Sequence, residues 1–342
     1  MGSFRENGTQ LDISTRIKLN NGVEMPLFGL GVFQAKVGGE VENAVKTALN
    51  HGYRKIDTAT AYRNERGVGN GIKMSSIPRE EVFLTSKVRN EDQGYHSTLA
   101  AFEKSLDELQ TDYLDLYLIH WPRGKRSLGT WKAMEELYKK ERIRAIGVSN
   151  FLEYHLEDLL RTSEVIPAIN QVEYHPELLQ PELYDYCKSR GIQFQAWRPI
   201  MQGKVNNIEE ICALADKYGK TPVQITLRWN VQKKIPTIPK SVKEERIISN
   251  ADIYDFQLSK EDIQSIDKLN KNKPLVPYQY KISFLIRALF IHKPKLHLTK
   301  LLVHSFTKKT QKAFYYLFYK RYYLLFLVDI NSSIDWGGQP IF

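Results

Sequence analysis

The chain of 342 residues is long enough for one to three domains, and its apolar (42%) and charged (26%) fractions are ordinary for a globular protein. Of the net charge of +10, residues 278–342 carry +8, from ten Lys or Arg against two Asp, so residues 1–277 carry only +2 and no nucleic-acid partner is expected. Two cysteines, Cys187 and Cys212, exclude a disulfide-stapled fold and favour a reducing compartment, and we expect a cytoplasmic protein.

Residues 1–15 predict a polar N-terminal arm without a targeting signal. MGSFRENGTQ has no apolar core of a secretory signal, and Glu6 stands where a myristoylation pattern needs Ser or Thr. No run of 18 apolar residues occurs, so no transmembrane segment is expected. The turn residues Asn20, Asn21 and Gly22 between RIKL and VEMPLFGLG then predict a β-hairpin over residues 16–30.

Strand and helix patterns alternate along the next 210 or so residues, as expected of repeated βα units. The apolar runs that fit buried parallel strands are FGLGVF (28–33), YRKIDTA (53–59), VFLTSKV (82–88), YLDLYLIH (113–120), RAIGVSN (144–150), AINQVEY (168–174), IQFQAW (192–197) and PTIP (236–239). Helical patterns fall at about 40–51, 96–110, 130–141, 152–162, 180–190 and 221–232.

These eight units predict an α/β fold in which residues 16–277 form a closed (β/α)8 TIM barrel. An open doubly wound sheet is the alternative, because the period of the pattern does not prove closure. A Rossmann site is poorly supported, since no GxGxxG motif opens a βα turn. Gly67, Gly69 and Gly71 have the wrong spacing and lie within a predicted helix.

Polar residues follow three consecutive predicted strands at the ends where barrel enzymes build their sites. They are Asp57, Lys87 and His120, and Tyr62 follows in the loop after Asp57. A Lys ammonium lowers the pKa of a neighbouring phenol, and an Asp holds that Lys charged. A His can hydrogen-bond a substrate carbonyl. The set therefore suits reduction of a C=O bond by hydride, with Tyr62 supplying the proton.

Six segments in order, IDTATAYRNE, FLTSKV, LYLIHWP, GVSNF, INQVEYHP and IPKSVKEERI, make residues 20–277 resemble the aldo-keto reductases. The nearest subgroup is the microbial aldehyde and 2,5-diketo-D-gluconate reductases, with the trypanosomatid prostaglandin F synthases close by. The resemblance implies an oxidoreductase that uses NADPH to reduce small aldehydes or ketones, such as methylglyoxal-type dicarbonyls, to alcohols. It implies a catalytic tetrad of Asp57, Tyr62, Lys87 and His120.

The same resemblance implies that Ser149, Asn150 and Gln171 hold the nicotinamide carboxamide and that Trp197 stacks on the nicotinamide ring. For the 2′-phosphate of NADPH there is an independent argument, because Lys240 and Ser241 follow the last predicted strand, open a predicted helix and precede Arg246. Family similarity adds Asn250 to these phosphate contacts. The substrate pocket is expected to be rimmed by Phe33, Arg89 and Trp121 together with His120.

Several positions depart from the family pattern. Arg89 replaces the usual Trp, Arg198 the usual Ser, and Arg63 a frequent Gly or Lys. A guanidinium at position 89 leads to the hypothesis that carboxylated substrates are favoured. Because potassium-channel β-subunits also resemble this family, a redox sensor or regulatory subunit that binds NADPH without turnover is the alternative function. A damaged gene product that binds the cofactor without useful activity is a further one.

Residues 278–342 form an atypical extension that is basic and contains 15 of the 39 aromatic residues. Three interpretations stay open: a product of frameshift or readthrough, a peripheral membrane or partner-binding segment, and a lid or oligomerisation element. His292, His297 and His304 match no metal-ligand spacing, so no metal is expected. We expect a monomer, with contacts through this tail left open.

Overall fold

The computed structural model describes residues 11–276. The chain divides into two units, of which the first ends at Leu275. Except for Val276, the second unit lies outside the described residues, as does the extension predicted over 278–342.

A β-hairpin opens the described chain, as predicted. Strand β1 (Arg16–Lys18) pairs antiparallel with β2 (Glu24–Pro26), and the turn between them contains Gly22 at φ 87°. Met25 of the hairpin is fully buried and packs with Phe83, which begins a barrel strand. The hairpin therefore covers the N-terminal end of the barrel, opposite the end where the candidate site lies.

Seven parallel strands follow one another in spatial order and curl towards closure. They are β3 (Leu30–Gly31), β4 (Lys55–Asp57), β5 (Phe83–Val88), β6 (Leu114–Ile119), β7 (Ile143–Ser149), β8 (Ile169–Glu173) and β9 (Gln193–Trp197). The predicted eighth strand forms only isolated bridges, but Thr237 bridges both Phe28 and Ala196. Thr237 N donates to Leu27 O at 2.9 Å, and Ala196 N donates to Pro236 O at 2.8 Å. The sheet is thus closed into a (β/α)8 barrel, and the open sheet is excluded.

Helices lie between the strands, close to the predicted positions. They are α1 (Glu40–Asn50), α2 (Glu65–Ser75), α3 (Tyr95–Leu109), α4 (Lys125–Lys139), α5 (Glu153–Leu160), α6 (Pro181–Ser189), α7 (Glu209–Tyr218), α8 (Pro222–Gln232), α9 (Glu244–Ala251) and α10 (Lys260–Asp267). The sequence did not predict α7 and α10. Within residues 11–276, no helix combines the length and the apolar character needed to cross a bilayer.

The glycine repeat that fails as a Rossmann motif has a packing role instead. A Cβ at Gly69 would lie 2.5 Å from the carbonyl oxygen of Leu109 in α3, and one at Gly71 would lie 2.7 Å from Cβ of Val45 in α1. Helix α2 therefore packs closely against both neighbours, and side chains at these two positions would push the helices apart.

A buried carboxylate ties together three strands of the barrel. Asp115 in β6 accepts hydrogen bonds from Arg79 Nη1 at 2.9 Å, from Arg144 Nη1 at 2.7 Å and from Leu84 N at 3.0 Å. Its side chain is only 1% exposed. Two guanidinium groups on one buried carboxylate make this cluster strongly dependent on Asp115.

Asp115→Ala is expected to lower the free energy of unfolding by about 3 kcal/mol, because the buried Leu84 amide loses its acceptor and Arg79 loses its carboxylate, whereas Arg144, which is 46% exposed, contributes little. Asp107→Ala is the matched control. That residue pairs with Arg66 at 3.5 Å but is 77% exposed, so its loss should cost no more than about 0.5 kcal/mol. Urea unfolding of both variants measures the difference. Equal costs for the two variants would show that the Asp115 cluster does not stabilise the barrel.

Candidate active site

Four polar side chains meet at the C-terminal rim of the barrel, as predicted. Asp57 is the last residue of β4, Lys87 the penultimate residue of β5, and His120 directly follows β6. Tyr62 ends a single turn of 3₁₀ helix, Thr60–Tyr62, in the loop after β4. Parallel pairing of β4 with β5 and of β5 with β6 brings these strand ends together.

Asp57 and Lys87 form a buried ion pair at the base of this group. Lys87 Nζ donates to Asp57 Oδ1 and, at 2.9 Å, to the carbonyl oxygen of Thr58. Both side chains are at most 2% exposed. Burial alone would lower the pKa of Lys87, but the Asp57 carboxylate and the Tyr62 phenol outweigh it and raise that pKa. Lys87 is therefore a fixed cation in this site.

The Tyr62 ring is half-buried among three side chains. Lys87 Nζ lies 5.2 Å from its centroid, and the rings of His120 and Phe33 lie at centroid distances of 5.6 and 5.0 Å. Removal from water raises the pKa of Tyr62, and the Lys87 ammonium lowers it by less. The effect of Lys87 thus has the predicted sign, but desolvation outweighs it. The phenol keeps its proton at neutral pH.

His120 is held as a neutral imidazole beside Tyr62. Burial and then the charge of Lys87 lower the pKa of His120 to about 3. Its ring meets that of Tyr62 edge-on at an interplanar angle of 74°. A neutral imidazole can donate one hydrogen bond without bringing a charge into the site.

A chain of hydrogen bonds joins the predicted nicotinamide-binding residues to His120. Trp197 Nε1 donates to Asn150 Oδ1 at 2.9 Å, and Asn150 Nδ2 donates to the His120 carbonyl oxygen at 3.0 Å. Ser149 Oγ donates to the carbonyl oxygen of Gln171 at 2.7 Å. These ends of β7, β8 and β9 thus form one polar platform.

Gln171 has a second contact that the sequence did not predict. Its Nε2 donates to Asp57 Oδ2 at 2.7 Å, so the carboxylate that holds Lys87 is itself held by β8. Gln171 Oε1 accepts no hydrogen bond from another residue of the described range. That oxygen is an available acceptor at the platform.

Sequence reasoning also missed Asn64, whose side chain links two loops of the site. Its Nδ2 donates to the carbonyl oxygens of Val32 at 2.9 Å and Ala35 at 3.1 Å, and its Oδ1 accepts from Thr58 Oγ1 at 2.8 Å. The residue is 1% exposed. Asn64 therefore fixes the loop that carries Phe33. An Asn between two strands is typical of a turn, so its spacing gave no signal for this role.

The predicted phosphate-binding residues lie at and after the closing segment of the barrel. Lys240 and Arg246 are exposed, whereas Ser241 and Asn250 are buried. Helix α9 begins at Glu244 rather than at Ser241, because Ser241 Oγ accepts from Lys243 N at 3.2 Å and forms a local turn. Within residues 11–276, neither Lys240 nor Arg246 pairs with a carboxylate.

Two of the residues predicted to rim the substrate pocket, Phe33 and Trp121, have half-buried side chains. The Trp121 carbonyl oxygen accepts a hydrogen bond from Gln93 Nε2 at 2.7 Å. Arg89 is already paired, since its Nε lies 2.6 Å from Asp92 Oδ2 and its Nη2 lies 3.2 Å from Asp92 Oδ1. A substrate carboxylate would have to compete with Asp92 for this guanidinium.

The part of the chain that the structure describes has no group of three side chains suited to a metal ion. The histidines of the predicted extension, His292, His297 and His304, lie outside it.

The chain is similar to known proteins in sequence and in fold. The sequence model of the Aldo/keto reductase family matches residues 28–271. Glyoxal reductase of Bacillus subtilis is 58% identical over 78% of this chain and 97% of its own. Methylglyoxal reductase of Escherichia coli K12 is 45% identical over 77% and 96%. The crystal structure of a Bombyx mori aldo-keto reductase in complex with NADP superposes with a TM-score of 0.72 at 34% identity, covering 77% of this chain and 95% of that one.

Proposed function

Since the chain belongs to the aldo/keto reductase family, we propose that it reduces small aldehydes and ketones, dicarbonyls such as methylglyoxal foremost, to alcohols with NADPH. The observation that carries the proposal is the buried Asp57–Lys87 pair beneath the Tyr62 ring, with the His120 ring at its side. Relatives named glyoxal reductase and methylglyoxal reductase support the substrate class. The two free thiols, Cys187 and Cys212, support a reducing compartment, and we place the enzyme in the cytoplasm as a monomer.

The residues present fit a nicotinamide cofactor at both of its ends. At one end, Gln171 Oε1 is an acceptor for a carboxamide N–H, beside Ser149 and Asn150, and Trp197 offers a half-exposed ring for stacking. At the other, exposed Lys240 and Arg246 offer cations for a 2′-phosphate, with Ser241 and Asn250 next to them. When bound, NADPH would supply the hydride.

The chain's own residues supply the proton and stabilise charge. His120 donates a hydrogen bond to the substrate carbonyl oxygen and so polarises the C=O bond. Tyr62 hydroxyl donates its proton to that oxygen as negative charge develops on it. The Lys87 ammonium then stabilises the phenolate, and Asp57 keeps the ammonium charged and oriented. Phe33, Trp121 and Arg89 would line the approach of the substrate.

The pH dependence of reduction is expected to be flat from about pH 5 to 9. His120, with its pKa lowered to about 3, stays neutral throughout this range. The pKa values of Tyr62 and Lys87 are both raised, so the proton donor is lost only as the pH rises above about 10. Steady-state kcat/KM between pH 5 and 11 measures this. An inflection between pH 6 and 8 in the chemical step would contradict the assigned protonation states.

Turnover distinguishes the enzyme from the redox sensor that the family resemblance leaves open. We expect many turnovers per active site with methylglyoxal and NADPH, and much slower oxidation of NADH, because NADH lacks the 2′-phosphate. Absorbance of the reduced nicotinamide at catalytic enzyme concentration measures both rates. Slow oxidation of an amount of NADPH equal to the amount of enzyme, with no further turnover, would support the sensor and contradict the proposed function.

A further inference from the structure

Arg198 lies directly after Trp197 at the C-terminal end of β9. Its backbone has a φ of 54°, and its guanidinium carbon lies 5.5 Å from the centroid of the Trp197 ring. Trp197 is linked through Asn150 to the backbone of His120. The turn at this position places the Arg198 side chain against the Trp197 ring. Arg198 is therefore part of the rim of the proposed active site.

The charge of Arg198 is not neutralised by any described residue. Among residues 11–276, no carboxylate lies within ion-pair distance of its guanidinium, and the guanidinium donates no hydrogen bond. Arg89 at the same rim is held by two oxygens of Asp92. Of the three arginines that depart from the family pattern, Arg89 is thus engaged by Asp92, whereas the donors of Arg198 are available to a ligand.

The position of Arg198 also ties it to the reacting end of the site. It stacks on Trp197, which is linked through Asn150 to the backbone of His120, and the His120 ring lies 5.6 Å from that of Tyr62. Its charge also lowers the pKa of Tyr62, by less than Lys87 does. Tyr62 hydroxyl is the atom proposed to contact the substrate carbonyl. An anionic group on the substrate itself would therefore lie within the field of Arg198. The side chain is half-buried against the Trp197 ring, which limits its loss of freedom on binding.

We propose that Arg198 binds a carboxylate of the substrate and so makes carbonyl compounds that carry a carboxylate, such as 2-oxo acids and carboxylated aldehydes, preferred substrates of this site. The inference rests on the proposed function and narrows its substrate class. It moves anion recognition from Arg89, where the sequence suggested it, to Arg198. A phosphate of the cofactor offers the same oxyanion chemistry, and the experiment has to separate the two sources.

Matched substrate pairs test the proposal. One pair is glyoxylate and methylglyoxal, and the other is 4-carboxybenzaldehyde and 4-methylbenzaldehyde. The distance between the carbonyl group and the carboxylate is short in glyoxylate and long in 4-carboxybenzaldehyde. Arg198→Met keeps an apolar stem on Trp197 but removes the charge. The measured quantity is kcat/KM for the charged substrate divided by kcat/KM for the neutral substrate of the same pair. Arg198→Met is expected to lower this ratio roughly tenfold in at least one pair. Arg198→Lys should keep most of the ratio.

Arg190→Met is the control for loss of an arginine that stacks on an aromatic ring. Arg190 lies at the end of α6, with its guanidinium carbon 5.4 Å from the Tyr186 ring centroid, and we expect no change in either ratio. Trp fluorescence titration with NADPH supplies a readout independent of turnover. Unchanged ratios in Arg198→Met would overturn the proposal. So would weaker NADPH binding without a change in the ratios, because it would assign Arg198 to the cofactor.

Failure of this inference is distinguishable from failure of the proposed function. If the wild-type protein turns over methylglyoxal with NADPH but Arg198→Met leaves the ratios unchanged, the reductase assignment stands and the carboxylate site does not. If the wild-type protein turns over neither member of either pair, both are wrong.

Discussion

Tyr62→Phe is expected to lower kcat for methylglyoxal reduction by about 10³-fold while leaving NADPH affinity unchanged. The substitution keeps the ring that packs against Phe33 and His120 and removes only the hydroxyl that would donate the proton. The platform of Ser149, Asn150 and Gln171 does not include Tyr62, so cofactor binding should be spared. Steady-state turnover and fluorescence titration with NADPH measure the two quantities separately.

Tyr138→Phe provides the control for this substitution. Tyr138 is also half-buried, but it lies near the end of α4, where its hydroxyl is 3.5 Å from Nδ2 of Asn21 in the hairpin turn. Loss of the Tyr138 hydroxyl should leave kcat within about twofold of the wild type, because substitutions far from the active site usually have small effects. A Tyr62→Phe enzyme with a kcat close to that of Tyr138→Phe would rule out Tyr62 as the proton donor.

Lys87→Met is expected both to abolish most activity and to destabilise the fold. It removes the cation that would stabilise the Tyr62 phenolate, and it leaves the Asp57 carboxylate buried with Gln171 as its remaining side-chain partner. Breaking a buried ion pair by removing one member costs about 3–5 kcal/mol. Urea unfolding measures that loss, and turnover with methylglyoxal should fall by about 10³-fold.

The double variant Lys87→Met with Asp57→Asn separates the two effects. A neutral amide at position 57 has no charge to leave unpaired, so we expect the double variant to regain stability relative to Lys87→Met. Activity should not return, because the cation is still missing. If the double variant is no more stable than the single one, the buried charge of Asp57 is not the cause of the destabilisation.

The barrel and the main site group could be predicted because both follow from local patterns. Short apolar runs fixed the strands, and the residues that end β4, β5 and β6 pointed to one rim before any coordinates were known. Helices α7 and α10 were missed because they are additional to the one helix expected after each strand: α7 precedes α8 between β9 and the closing segment, and α10 follows α9. The start of α9 was misplaced because a hydroxyl at position 241 satisfies the amide of Lys243.

Contacts between distant residues account for what the sequence could not give. Gln171 donates to Asp57 across 114 positions, and Asn64 joins two loops about 30 residues apart. No spacing rule connects such pairs, because only the closed sheet makes them neighbours. The net direction of the Tyr62 pKa shift was also missed, since the extent of desolvation depends on how the folded rim excludes water.

Ring closure by the segment at Thr237 also governs how this protein must be made. Until that segment has left the ribosome, β3 and β9 each present an unpaired edge. Lys240, one of the cations proposed to bind the cofactor phosphate, also cannot reach its position before this segment pairs. Its pairing with Leu27 spans more than two hundred residues, a sequence separation that slows folding and prolongs exposure of apolar surface. Nascent chains stalled before this segment should therefore be captured by chaperones, whereas chains that have passed it should acquire protease resistance in a single step.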